Sequence, residues 1–223
     1  MEKTLLTELA AHGARLVAVS KTRPNEAIMA LYASGQRLFG ENKVQELVQK
    51  YETLPKDIEW HLIGHLQRNK VKYVAPFVAM IHSVDDVELL SEIDRQAAKI
   101  GRKIGVLLQV RIAEEDTKFG MTASEAHAIC GNADGYPNTT ICGLMGMATH
   151  TDDTHKIRAE FRGIKLLFDA LKSNAMRNNA DFTEISMGMS DDYKIALEEG
   201  STLVRVGSLL FGRRQLDTPN QNL

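Results

Sequence analysis

Leu16-Val17-Ala18-Val19-Ser20-Lys21-Thr22 is the stretch whose reading decides the fold. Four apolar residues in a row, two of them valine, are bounded by polar residues and followed by Arg23-Pro24. They read as a short strand buried on both faces, as strands of parallel sheets are. Lys21 falls at the C-terminal end of that strand. This is the edge of a parallel α/β sheet that carries the ligand site, so a lysine there points to chemistry. A surface lysine closing a strand is the plain alternative.

Working outward, residues 1–14 form a short amphipathic helical lead-in with Leu5, Leu6 and Leu9 on one side. After the first strand (15–21), Pro24 at a first helical position and Ile28, Leu31 and Tyr32 indicate a helix that stops at Ser34-Gly35. The rhythm then repeats, with strands at 37–42, 59–64, 80–84, 104–111, 140–148, 182–187 and 202–206, the last continuing to Gly212. Helices at 43–54, 67–75, 86–100, 122–131, 155–174 and 190–199 fill the intervals. Eight strands, each but the last followed by a helix, imply parallel pairing through right-handed crossovers. The expected fold is α/β, a single-domain (β/α)8 TIM-type barrel spanning residues 1–223, with a doubly wound open sheet as the alternative topology. Residues 214–223 are a polar tail expected to lie off the packed barrel.

Composition narrows the function. A net charge of −2 supplies no basic field for nucleic acid or an anionic membrane, so any anion site must be local. No apolar run reaches the roughly 18 residues of a membrane span, and the start does not resemble a signal peptide, which together indicate a cytoplasmic protein. Cys130 and Cys142 have no metal or redox spacing and read as reduced, buried thiols. His61 and His65 straddle Gly64 at a strand end instead of sharing a helix face, so no metal is expected. Arg68, Lys70 and Lys72 read as a solvated basic face, and Lys118-Phe119-Gly120 as a loop at the barrel mouth.

Phosphate binding is the strongest signal after Lys21. Barrels of this kind commonly hold a phosphate between the loops after strands seven and eight, on backbone N–H groups. Ser186-Met187-Gly188-Met189-Ser190-Asp191-Asp192 supplies a glycine for close approach and Ser190 to cap the next helix, while Arg205-Val206-Gly207-Ser208 stands at the second position. Each alone is an ordinary turn; jointly they indicate a phosphate ligand. A lysine beside a phosphate pocket suggests a Schiff base to a sugar phosphate or to pyridoxal phosphate. Arg205 discriminates between them: a guanidinium facing a pyridine nitrogen donates a hydrogen bond and leaves the ring neutral, a weak electron sink.

Six ordered blocks then resemble the pyridoxal phosphate homeostasis protein family. They are Ala18-Val19-Ser20-Lys21-Thr22, Phe39-Gly40-Glu41-Asn42-Lys43-Val44-Gln45-Glu46, Trp60-His61-Leu62-Ile63-Gly64-His65-Leu66-Gln67-Arg68-Asn69-Lys70, Gly143-Leu144-Met145, Ser186 to Asp192 and Val204-Arg205-Val206-Gly207-Ser208. The resemblance implies a barrel similar to the N-terminal domain of alanine racemase, binding pyridoxal 5′-phosphate as a Schiff base on Lys21. It implies Arg205 as the pyridine-nitrogen partner, Ser186, Gly188, Ser190, Gly207 and Ser208 around the phosphate, Asn42 near the ring and Met145 in the pocket wall. It also implies a monomeric carrier or regulator of vitamin B6 pools without established catalysis, delivering the cofactor to apo-enzymes. The alternative is a pyridoxal phosphate-dependent amino-acid racemase or decarboxylase. Against that stands the length: the chain has no room for the additional β domain that supplies alanine racemase with a second acid/base, and its tyrosines read as packing residues.

Overall fold

The computed structural model describes residues 2–113 and 119–212. Eight parallel strands close into a barrel in sequence order: β1 (Arg15–Val19), β2 (Leu38–Glu41), β3 (Glu59–Leu62), β4 (Met80–Val84), β5 (Ile104–Gln109), β6 (Thr139–Met145), β7 (Glu184–Ser186) and β8 (Leu203–Val206). The closing pair is β1 with β8, where Val17 lies opposite Arg205 and Ala18 opposite Val206. The open-sheet alternative is thereby ruled out. Helices α1 (Glu2–Ala11), α2 (Asn25–Ala33), α3 (Val44–Thr53), α4 (Val71–Val74), α5 (Val87–Lys99), α6 (Ala123–Gly131), α7 (Thr154–Ser173), α8 (Tyr193–Glu198) and α9 (Ser208–Phe211) surround it.

Side chains alternate across each strand, so the sheet has an inner and an outer core. Outside, Phe39, Trp60, Leu62, Ile81 and Ile185 pack under the helices, with the Phe39 and Trp60 rings 5.9 Å apart. Inside, Val17, Leu107, Met145 and Leu203 form an apolar plug, which makes the lumen a packed core and confines ligands to its mouth. α1 closes the flank beside β8 by burying Leu5 and Leu9 against Tyr193, Leu197, Val204 and Val206. Leu6, expected on the same side, is 42% exposed instead, because positions three and four apart share a helix face and adjacent ones do not.

Several boundaries differ from the sequence expectation. The helix expected over 67–75 is a 3-10 turn at Arg68–Lys70 followed by the single turn of α4, and Pro76 forbids its continuation. The strand expected over 182–187 shrinks to Glu184–Ser186, since Phe182 leaves the ladder to stack on Phe168 at 4.8 Å. β6 carries an extra residue opposite β5, shifting the register between Val106 and Leu107. Beyond β8 the expected strand continuation to Gly212 is replaced by α9, so the eighth strand also has its helix. Lys118 and residues 214–223 lie outside the described residues. Both cysteines are free thiols that burial pushes up, Cys130 to about 12 and Cys142 to about 11, which makes them poor nucleophiles. Among the described residues, no helix is long and apolar enough to cross a membrane.

Candidate ligand site at the barrel mouth

A cavity of about 300 Å³ opens at the C-terminal end of the strands. β1 and the turn after it contribute Val19, Lys21 and Arg23, and the residues following β2, β3 and β6 contribute Asn42, Ile63 and Met147. The loop after β7 adds Met189, Ser190 and Asp191, and β8 with its following turn adds Arg205, Gly207 and Ser208. Lys21 and Arg205, far apart in sequence, therefore share one concave surface, and Ser190, Gly207 and Ser208 share it with them.

Arg205 sits at the bottom, 4% exposed. Its Nη1 donates to Ser186 O at 2.8 Å and Ser186 Oγ at 2.6 Å, and Nη2 donates to Gly146 O at 3.1 Å. Burial pulls its pKa down to about 10, opposed by the Asp192 carboxylate, so the guanidinium is still charged at neutral pH. Ser186 Oγ meets His82 Nδ1 at 3.0 Å, and His82 Nε2 meets His61 Nδ1 at 2.9 Å. A guanidinium can only donate. With both imidazoles neutral, the direction that gives the Ser186 hydroxyl an acceptor has Ser186 O–H donating to His82 Nδ1 and His82 Nε2–H donating to His61 Nδ1. Ser186, expected at the phosphate, thus engages the guanidinium and is not part of the cavity wall.

The same loop places the other expected residues. Gly188 does not line the cavity either; at φ +89 it turns the chain, and its carbonyl accepts the Arg205 N–H at 3.0 Å. Ser190 does not cap α8, which starts at Tyr193; Asp192 closes the loop instead by accepting the Met189 N–H at 2.5 Å. Ser190 is left facing the cavity, where its Oγ accepts the Gly207 N–H at 3.4 Å. At Gly207 the backbone runs close beneath β1: a Cβ there would stand 3.0 Å from Val19 O. Met145 is buried in the apolar plug, and Met147, two residues on, is the methionine in the wall. Sequence reasoning also missed Arg23, whose Nη2 donates to Gly212 O at 2.5 Å and whose guanidinium lies over Phe211, tying α9 to the β1 turn. No motif spacing signals that pairing.

His61 and His82 predict a measurable acid weakness. Burial pushes His61 down to about 3, and burial with the charges of His61 and Arg205 pushes His82 well below its ordinary 6.5. Below pH 6.5 the unfolded chain takes up protons that the folded chain refuses, so stability is complete above that pH and falls as pH drops towards 3. At pH 5 the expected loss is about 2 kcal/mol per histidine relative to pH 7. Urea midpoints should show it, with a smaller pH slope in the His61→Gln, His82→Gln double variant. An equal slope would mean that the imidazoles are not held neutral.

Elsewhere, His65 pairs with Asp85 at 3.2 Å and stacks on Phe119 at 4.4 Å, away from His61. Among the described residues, no three His, Cys, Asp or Glu side chains group as a metal site. Tyr193 turns away from the mouth, its hydroxyl donating to Glu8 at 2.7 Å.

Comparisons with known proteins place the chain in a family. The family model described as "Alanine racemase, N-terminal domain" matches residues 4–215. The pyridoxal phosphate homeostasis protein of Aquifex aeolicus is 40% identical over 203 residues, covering 91% of this chain and 88% of its own. The structure of PipY from Synechococcus elongatus PCC7942 with PLP bound superposes with a TM-score of 0.82 at 36% identity, covering 93% of this chain and 98% of that one. Alanine racemase from Bartonella henselae shares the barrel alone, with a TM-score of 0.67 at 17% identity over 94% of this chain and 59% of that one. With the family model spanning nearly the whole barrel and relatives this similar over nine-tenths of the sequence, the chain belongs to the alanine racemase N-terminal-domain family and, within it, to the pyridoxal phosphate homeostasis proteins.

Proposed function

We propose that this protein binds pyridoxal 5′-phosphate at the barrel mouth, with Lys21 as the covalent anchor, and serves intracellular vitamin B6 homeostasis as a monomeric cytoplasmic carrier that hands the cofactor to apo-enzymes. The observation that carries the reading is the convergence of Lys21, Arg205, Ser190, Gly207 and Ser208 on one cavity, in a chain whose PipY relative was solved with PLP bound. The wall suits such a ligand. Val19, Ile63, Met147 and Met189 offer apolar faces to a flat ring, while Ser190, Gly207 and Ser208 stand together at one side of the cavity where an anion can meet them. When bound, the cofactor supplies an aldehyde for an amine and a ring that withdraws electrons from what is attached to it.

The chain's own residues argue for holding over turnover. Arg205 keeps its proton at neutral pH, so it donates to a ring nitrogen and does not support protonation there; a carboxylate would do the reverse. Among the described residues lining the cavity there is no tyrosine, histidine or cysteine, and Asp191 is the one carboxylate placed to act as a second acid/base. Apo-protein mixed with pyridoxal 5′-phosphate should turn yellow with one equivalent bound, and should then activate a pyridoxal phosphate-dependent apo-enzyme while a scavenger removes free cofactor. Incubated with single L-amino acids in D2O, it should exchange Cα protons no faster than the free cofactor. Rapid exchange would make it a racemase or decarboxylase instead, and a protein indifferent to the cofactor would end the reading altogether.

A further inference from the structure

Behind the Lys21 turn lies a buried charge cluster that the binding reading does not use. β2 supplies Glu41, which is wholly buried, and α3 supplies Glu46 and Lys50, one helical turn apart. Lys50 Nζ donates to Ser20 O at 2.7 Å, to Glu41 Oε1 at 2.7 Å and to Glu46 Oε1 at 2.6 Å, which engages all three of its donors. Ser20 Oγ donates to the same Glu41 Oε1 at 2.6 Å. Glu46 Oε1 also accepts the Thr22 N–H, at 2.6 Å. The carbonyl before Lys21 and the N–H after it are thus tied to a single cluster.

The backbone between those two ties is strained. Thr22 has φ +62 and is the one non-glycine residue at positive φ among the described residues. For a β-branched side chain that conformation is a steric outlier, and it persists only where the surroundings over-determine it. The cluster is itself costly: Glu41 is desolvated, burial raises its pKa, and its Oε2 has no hydrogen-bond partner. Two unfavourable features meeting beside Lys21 mark an imposed geometry.

We propose that Glu46, braced by Lys50 and Glu41, is the positioning residue for Lys21: its carboxylate holds Thr22 left-handed and so aims the Lys21 side chain into the cavity. The proposal rests on Lys21 being the covalent anchor. Without Glu46 the turn relaxes towards negative φ, which redirects the residue on its N-terminal side; a misplacement of the order of 1 Å costs a reacting pair about tenfold to a hundredfold in rate.

The test separates aim from pocket. Glu46→Ala should slow borohydride-trapped attachment of pyridoxal 5′-phosphate by about tenfold or more. It should leave unchanged the affinity for pyridoxine 5′-phosphate, whose alcohol cannot react with an amine and which therefore reads only the ring and phosphate contacts. Glu46→Gln, whose amide oxygen still accepts the Thr22 N–H, should attach the cofactor at close to the wild-type rate. Glu46→Asp keeps the charge but withdraws it by one methylene; it should be as slow as the alanine variant, and it replaces that variant should alanine not fold. Thr22→Gly in the Glu46→Ala background should restore the rate, because glycine adopts positive φ without steric cost. Attachment at the wild-type rate in Glu46→Ala, an equal loss of pyridoxine 5′-phosphate affinity, or no rescue by Thr22→Gly would each overturn the assignment. A wild type that never attaches the cofactor would sink the anchoring reading and this one with it, whereas normal attachment beside an unimpaired Glu46→Ala would sink this one alone.

Discussion

Replacing Lys21 with alanine is expected to abolish borohydride-fixed attachment of pyridoxal 5′-phosphate while the protein stays folded. The argument is one of elimination within the cavity. Among the described residues lining it, Lys21 is the sole lysine; Arg23 and Arg205 cannot form the imine because a guanidinium does not give up its proton. Lys43, just after β2, lines an outer groove with Thr22, Glu46 and Lys50 and does not line this cavity. Lys50 Nζ is engaged by Ser20 O, Glu41 and Glu46 and does not line the cavity. Because Lys21 is half-buried at a turn and belongs to none of the apolar clusters, its truncation should change stability by less than about 1 kcal/mol. Arg205, Ser190, Gly207 and Ser208 remain, so weaker, reversible binding of the cofactor should persist. Intact-mass measurement after reduction decides the matter. A reduced adduct of undiminished yield on the Lys21→Ala protein would show that another amine is the anchor.

The largest stability effect is expected from Lys50→Met. The methionine fills most of the lysine's volume, so what is lost is the ammonium that neutralises Glu41. That carboxylate is fully buried, and already has one oxygen without a partner. Stranding a buried charge costs about 3–5 kcal/mol, which for a chain of this size lowers Tm by roughly 10 °C. Adding Glu41→Leu should recover more than half of the loss, since exchanging both members of a buried pair for apolar residues removes the desolvated charge with its partner. Thermal unfolding at neutral pH of the two variants beside the wild type checks both statements. A double variant no more stable than Lys50→Met would place the cost in lost packing and not in the uncompensated carboxylate. Attachment of the cofactor should also slow in Lys50→Met, because Glu46 loses the partner that holds it against Thr22.

Lys21 and Arg205 were legible because each stands at a strand's C-terminal end, and period-two burial with short connections fixes where that end points. Gly207 and Ser208 were legible for the same reason. Ser186, expected around the phosphate, has its hydroxyl against Arg205: a serine at a strand end looks the same in sequence whether that hydroxyl meets a ligand or a guanidinium. The His61–His82–Ser186–Arg205 chain joins four different strands across the lumen, and nothing local to any of them announces the others. Met145 and Met147 differ by one pleat, a distinction set by where β6 ends and by its extra residue opposite β5.

The sequence by itself determined the βα alternation, the parallel barrel class and the edge on which chemistry sits, because hydrophobic period and turn residues are local properties that survive in any register. Only the tertiary structure decided that β1 closes on β8, that Ser186 serves Arg205, and that Glu41, Glu46 and Lys50 converge behind Lys21. Those outcomes depend on barrel closure and on the angle at which α3 lies over β2. Closure and crossing angle are set by the packing of the whole core, and hydrogen bonds a few ångströms long follow from them.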